Sequence, residues 1–258
     1  MLIFYDVALS PFAQKVKIAL KEKQLPYETR LPQLGQNDAE LLRANPRGEV
    51  PALIDGDVVV FDSSIMLDYL EDKWPEPALR PDSAAGRARA RMIEEICDSQ
   101  FEAIIWGLNE VVSFKRAEGR EAERIIAFAG EEIGRIRDWL TSELGEQDWF
   151  NGASCGLGDI AVLPYMVTAR LFGFGPAEGS PLALWLTRML ARRSVHETLA
   201  EAKAALPAFR ELGAKFVSGE AQRQYRDHRL EFMLRAGGLE IVRRGLDQGT
   251  IRFSTLPG

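Results

Sequence analysis

The chain is poor in the side chains that most often carry reactive chemistry: of its 258 residues only two are histidine and two are cysteine. These are His196, His228, Cys97 and Cys155, all distant from one another in sequence, and no CxxC, HExxH or other zinc-site spacing occurs. A metal site built on His and Cys and a cysteine nucleophile are therefore not expected. Two isolated cysteines without a recognisable secretory signal fit reduced thiols better than one wide-loop disulfide, so a cytoplasmic protein is expected. Apolar runs are short too. Val58 to Phe61 and Ile160 to Leu163 fall far below the roughly 20 residues a membrane helix needs, so no membrane span is expected. A basic excess is also missing: 32 Lys and Arg stand against 38 Asp and Glu, a net charge of −6, which gives no general attraction to a phosphate backbone. Nucleic acid is not an expected partner. The phosphate-cradling patterns GxGxxG and GxxxxGK[ST] are absent as well.

What remains is a globular composition, 46% hydrophobic and 27% charged, long enough for one large domain or two ordinary ones. Met1 to Asp6 is rich in strand-favouring side chains. Ser10-Pro11 then opens a segment with Phe12, Val16, Ala19 and Leu20 at helical spacing. Pro26 to Leu31 reads as a strand and Asp38 to Arg43 as a short helix. Pro51 to Phe61 reads as two strands joined at Asp55-Gly56, a hairpin signal. Ser63 to Lys73 carries Ile65, Met66, Tyr69 and Leu70 at helical spacing. The order βαβαββα predicts one mixed four-stranded sheet covered by helices. Three prolines between Trp74 and Pro81 mark a boundary. Beyond it Ala88 to Lys115, Arg120 to Leu144, Asp159 to Leu171, Pro181 to Arg192 and His196 to Leu206 all read as helices, an all-α second part. The expected division is 1–77, a linker at 78–86, a helical domain at 87–217, and an extension at 218–258.

Three places carry candidate chemistry. Ser10 sits at the mouth of the first βα loop, at the positive end of the following helix, where a thiol would be favoured as its anion. An N-cap role accounts for the same residue. Tyr5 is the rival donor, with a packed strand aromatic as its plain reading. Val50-Pro51 opens a strand; a cis peptide there would turn backbone groups toward an open edge where an extended ligand can pair, though an ordinary strand-entry proline is commoner. Asp62-Ser63 begins a helix, where Ser63 and free N–H groups can hold a carboxylate and Asp62 an ammonium, or both can simply cap. Arginines 223, 226, 229 and 235 read as a solvated helix face, mixed with Asp227 and Glu231.

Taken in order, Leu2 to Asp6, Ser10-Pro11-Phe12, Asn45-Pro46-Arg47-Gly48-Glu49-Val50-Pro51-Ala52-Leu53, Asp62-Ser63, Tyr69-Leu70 and Gly158-Asp159-Ile160 resemble the cytosolic glutathione transferase family, over almost the whole chain. The resemblance implies a thioredoxin-like first domain, a cis peptide before Pro51, and glutathione as co-substrate without a metal. It makes Ser10 the thiol-activating residue of a serine-type member. It also implies that Phe12, Glu49, Val50, Pro51, Asp62 and Ser63 contact glutathione, Val50 through its backbone and Asp62-Ser63 at the γ-glutamyl end. Asp62 stands where Glu is more usual, and Gly156 where Ser or Thr usually completes a capping box. The implied activity is conjugation of glutathione to a small hydrophobic electrophile by a homodimer, with Trp106, Val111 and Phe114 expected to line the second substrate's pocket. A glutathione-dependent lyase or dehalogenase, such as an aryl-ether-cleaving enzyme, and a non-catalytic interaction module of the same fold are the alternatives. The Arg-rich extension lies outside the usual family core, and its aliphatic and aromatic content suggests that it folds over the cleft or a partner subunit.

Overall fold

In a computed structural model, described for residues 1–32, 38–221, 225 and 227–253, the N-terminal part forms a four-stranded sheet in the order β2-β1-β3-β4. The strands are β1 (Leu2–Tyr5), β2 (Tyr27–Arg30), β3 (Ala52–Asp55) and β4 (Val58–Phe61). β1 runs parallel to β2 and antiparallel to β3, and β3 is antiparallel to β4. Helices α1 (Pro11–Glu22), α2 (Ala39–Ala44) and α3 (Ser63–Lys73) complete the predicted βαβαββα order. This is the thioredoxin-like arrangement expected from the sequence. The hairpin turn falls one residue later than read: Asp55 still pairs with Val58, so Gly56 and Asp57 make the two-residue loop, with Gly56 supplying the positive φ of 65°.

Each helix start has a local cause. Ser10 caps α1, its Oγ accepting from the Ala13 N–H at 3.3 Å, and Pro11 occupies the first turn, where its missing N–H costs nothing. Asp38 caps α2 by accepting from Glu40 and Leu41, both at 3.0 Å. Asp62 caps α3 through Oδ1, which accepts from Ser64 at 3.0 Å and Ile65 at 3.3 Å.

The proline-rich stretch is docked against the fold. Leu79 is buried, its N–H donates to the Glu71 carboxylate, and its carbonyl accepts from Leu157 at 2.7 Å. Helix α4 (Ala84–Ile96) begins inside the expected linker, capped by Ser83. It continues through a π-helical turn (Cys97–Phe101), α5 (Glu102–Leu108) and a second π-helical turn (Asn109–Ser113) as one rod over residues 84–113. Then follow α6 (Gly119–Leu144), α7 (Leu157–Leu171), α8 (Pro181–Leu190), α9 (Arg193–Ser218), α10 (His228–Arg235) and α11 (Leu239–Asp247). The expected end of α9 at Leu206 is corrected: the helix runs through Pro207 to Ser218, held on its inner face by buried Val195, Thr198 and Ala202. No helix of the described residues is long and apolar enough to cross a membrane.

Helix α7 is the centre of the helical part, with Gly158 through Met166 buried. Its buried Asp159 accepts from the backbone N–H groups of Phe150 at 2.8 Å, Asn151 at 3.3 Å and Gly156 at 3.0 Å, and from the Trp185 indole at 2.7 Å. Four donors on one carboxylate fix the loop 149–156 to α7 and α8, which accounts for a buried acid in an apolar helix.

Candidate active site at the end of the sheet

Strand register assembles the three sequence-predicted places. Tyr5 lies opposite Ala52, and Ala52 opposite Phe61. The chain reaches Ser10 just after Tyr5, leaves Val50-Pro51 just before Ala52, and enters Asp62-Ser63 directly after Phe61. All three therefore leave the same end of the sheet, across two inter-strand spacings, about 10 Å. The N-termini of α1 and α3 open at that end as well, so two sets of free N–H groups and two positive helix ends converge there.

Ser10 is half-exposed, and its Oγ acts as acceptor in the cap, which leaves its O–H proton to donate. Phe12, half-exposed in the first turn, packs edge-on against Tyr165 of α7 with centroids 6.4 Å apart. The Val50-Pro51 peptide is cis, as the resemblance implied, with Pro51 buried and Val50 and Glu49 half-exposed. The loop before it is stitched internally: Asn45 Nδ2 donates to the Glu49 carbonyl at 2.9 Å, the Asn45 side chain accepts from Arg47 N–H at 3.0 Å, and Arg47 pairs with Glu49 at 2.7 Å. Asp62 is exposed with φ 75°, a left-handed conformation that costs a non-glycine residue on the order of 1–3 kcal/mol and concentrates at functional sites. Its Oδ2 takes no part in the cap. Ser63 is buried at the first position of α3.

Tyr5 is placed elsewhere. It is buried, its hydroxyl 3.5 Å from Arg30 Nη1, in a hollow lined by Glu40, Arg43 and Ala44 of α2 together with Ile54 and Val59. That side-chain environment includes none of the residues at the sheet end. Val111 and Phe114 are corrected as pocket residues: both are buried, and Phe114 packs against Phe209 and Phe216 of α9 at 4.7 and 5.2 Å. An apolar stripe here is helix core. Trp106 is half-exposed, with Tyr225 against it at 4.4 Å. Of the arginines in the extension, Arg223 and Arg226 lie outside the described residues. Arg229 and Arg235 are exposed on α10, as a solvated face requires.

Sequence reasoning missed a buried charge cluster beneath this end. Lys15, fully buried in α1, pairs with Glu94 at 2.8 Å and with Asp98. Glu94 also accepts from the Ser64 hydroxyl at 2.8 Å and pairs with Arg91, and Asp98 accepts from the Tyr165 hydroxyl at 2.9 Å. Burial alone would push the Lys15 ammonium down, but Asp98 and Glu94 carry it above the ordinary lysine range. Burial likewise opposes the Glu94 charge, yet Lys15 and Arg91 hold its carboxyl below the usual value. Asp98 goes the other way, raised by burial. The cluster ties the second turn of α1 and the first turn of α3 to the rod at and just before its first π-helical turn. Its signal in the sequence was the lysines at 15 and 17, inside a helix buried over Ala13 to Leu20.

A sheet of this topology followed by a helical part defines a thioredoxin-like protein of the glutathione transferase type. Comparison with known proteins agrees. Residues 4–78 match the family described as "Glutathione S-transferase, N-terminal domain". The chain is 33% identical over 207 residues to a probable glutathione S-transferase GSTU1 of Oryza sativa subsp. japonica, covering 72% of this chain and 84% of the relative. It is 27% identical over 194 residues to a stringent starvation protein A homolog of Pasteurella multocida, covering 73% and 85%. Its fold is similar to the crystal structure of rice GST1 in complex with glutathione, with a TM-score of 0.69 and 31% identity over 83% of this chain and 97% of that one. The chain belongs to the glutathione S-transferase family.

Proposed function

We propose that this protein binds glutathione at the shared end of the sheet and transfers its thiolate to a small hydrophobic electrophile. The observation that carries the reading is the register Tyr5–Ala52–Phe61, which gathers Ser10, Val50-Pro51 and Asp62-Ser63 at one end. Glutathione is an extended peptide with a thiol in the middle and a carboxylate and ammonium at its γ-glutamyl end. Val50, preceding a strand, offers backbone groups to the cysteinyl unit. Ser63 and the α3 N-terminus suit the carboxylate, the Asp62 Oδ2 suits the ammonium, and Phe12 and Glu49 flank the path. The Ser10 O–H donates to the sulfur and the α1 N-terminus favours its negative charge, so the thiol loses its proton more readily. The thiolate then forms a bond to the electrophilic carbon, and a leaving group departs with the bonding pair or a double bond takes up the electrons. Dimerisation, with the sheet domain of one subunit against the helical domain of another, completes the reading.

Ser10→Ala tests it. Transfer to a chlorinated aromatic acceptor at neutral pH is expected to fall by about 10- to 100-fold, with the pKa of the kcat/KM profile moving toward that of a free thiol, near 8.5. Unchanged activity removes Ser10 from the mechanism. A relative whose name is not that of a transferase, the stringent starvation protein A homolog, leaves a second reading, a non-catalytic interaction module. Absence of glutathione binding at millimolar ligand would favour that one.

A further inference from the structure

We propose that the hollow under α2 binds a small organic monoanion, an apolar carboxylate of about the size of benzoate, at a place separate from the sheet end and independent of the transferase reading. Strand register builds its floor. Tyr5 pairs with both Arg30 and Ala52, and Ile54, two residues on from Ala52, pairs with Val59. Tyr5, Arg30, Ile54 and Val59 therefore stand on one face of the sheet, one from each strand. The helix over this face is α2, six residues and about 9 Å long against roughly 14 Å of sheet width, so part of the face stays open. The opening is a hollow of ≈ 230 Å³, with Ala44, Ile54 and Val59 as its apolar side. It is smaller than the roughly 300–1,000 Å³ of pockets that take drug-sized molecules, so its occupant is small.

The polar side of the hollow consists mainly of donors. Tyr5 is 3% exposed, and its oxygen accepts from Arg30 Nη1 at 3.5 Å, but its own O–H proton meets no acceptor among the described residues. A buried donor left without an acceptor is costly, and the hollow is where an acceptor has room. Arg43, in the last turn of α2, has no ion pair or hydrogen bond from its guanidinium among the described residues and brings a fork of five N–H donors. Arg30 is partly occupied, by Glu28 at 3.2 Å and Glu40 at 3.5 Å. Charge then selects the ligand. Arg30, Arg43 and Glu40 leave the lining with one net positive charge, which matches a monoanion and leaves a dianionic phosphate under-compensated. A carboxylate accepts through two oxygens, enough for the Tyr5 O–H and the Arg43 fork together, and its ring or short chain then covers Ile54 and Val59. Val59, 46% exposed, is the apolar side chain that gains most from such a cover.

The test is calorimetric titration of the full-length protein with benzoate, benzyl alcohol and inorganic phosphate, each with and without S-hexylglutathione. Benzoate is expected to bind one to one at millimolar concentration or below, and benzyl alcohol, which has the ring without the charge, more weakly by about tenfold or more. Arg43→Ala should weaken benzoate by about tenfold, and Tyr5→Phe, which removes one oxygen and keeps the ring, by about threefold or more. Both variants should melt with the parent when no ligand is present, since Arg43 is exposed and the Tyr5 proton has no partner to lose. Absence of benzoate binding overturns the proposal, a water then being all that meets the Tyr5 proton. Equal binding of benzyl alcohol, tighter binding of phosphate, or unchanged affinity in both variants also overturns it. Displacement of benzoate by S-hexylglutathione does so too, because it puts benzoate at the sheet end. Glutathione titration of the same protein keeps the readings apart: glutathione bound and benzoate not sinks this proposal alone, and the reverse sinks the transferase reading alone.

Discussion

Gly156→Ser sets two simple rules against each other. At the N-cap of α7 a serine would offer the acceptor that glycine lacks, and with Asp159 already accepting from the residue 156 N–H it would complete a capping box, a gain of about 1 kcal/mol. The surroundings forbid it. A Cβ at this position falls 2.1 Å from the Leu79 carbonyl oxygen and 2.1 Å from Asn151 Nδ2. Backbone angles are not the reason, since φ is −162°, open to any residue. The Leu79 oxygen cannot simply retreat, because it accepts from Leu157 at 2.7 Å and from Asn151 Nδ2 at 3.1 Å. Giving up those two hydrogen bonds costs about 2 kcal/mol, and forced repacking adds about 1–3 kcal/mol. Against the cap's gain, the net is a destabilisation of about 2–4 kcal/mol, or a Tm lower by about 5–15 °C for a chain of this length. Urea unfolding of the two proteins measures it, and Gly156→Ala, which meets the same contacts without the cap, should be less stable still. A serine variant as stable as the parent would refute the close approach of loop 149–156 to Leu79 on which the reasoning depends.

Two further outcomes follow from the site. Lys15→Met orphans one buried acid and weakens the pairing of another, and should cost about 3–5 kcal/mol at pH 7. The loss should shrink as pH falls toward 4, because Asp98, already raised by burial, takes up a proton readily once its cation is gone. The signs agree with this: the lowered Glu94 contributes stability above the ordinary carboxylate value that is lost as pH falls through its folded one, while the raised Lys15 contributes below the ordinary lysine value and loses it only as pH rises past its own. Asp98, raised by burial, is relieved rather than weakened by acid. Unfolding curves of parent and variant at the two pH values would expose a pH-independent difference, which contradicts the pairing. Tyr5→Phe should leave kcat/KM within about twofold, because its hydroxyl faces Arg30 under α2, whereas losing a donor to the reacting sulfur costs on the order of a hundredfold. A large loss in this variant would make Tyr5 the thiol's partner after all.

The elements that could be read from the sequence were those with a cause within a few residues. Strand alternation, the Gly56 turn and the caps at Ser10 and Asp62 are local, and each candidate glutathione contact sits at a strand end or helix start that local chemistry marks. What joins them is the pairing of Tyr5 with Ala52 and of Ala52 with Phe61, a tertiary fact about residues 47 and 9 positions apart. The misreadings have the same origin. Proline 207 breaks one backbone hydrogen bond, and a local rule ends the helix there, but the buried face at Val195 to Ala202 lets α9 carry the defect. Phe114 belongs to an apolar stripe, and a stripe specifies that a face is covered without saying whether by protein or substrate; Phe209 and Phe216, far along the chain, supply the answer. Lys15 looks like a solvated helix residue because the acids that hold it are 79 and 83 positions away. The hairpin of α10 and α11 carries this logic one step further. Its apolar arc is as legible as the one that Phe114 belongs to, yet among the described residues of one subunit it stays exposed, so an arc in the sequence fixes which side chains share a face and not whether that face is covered.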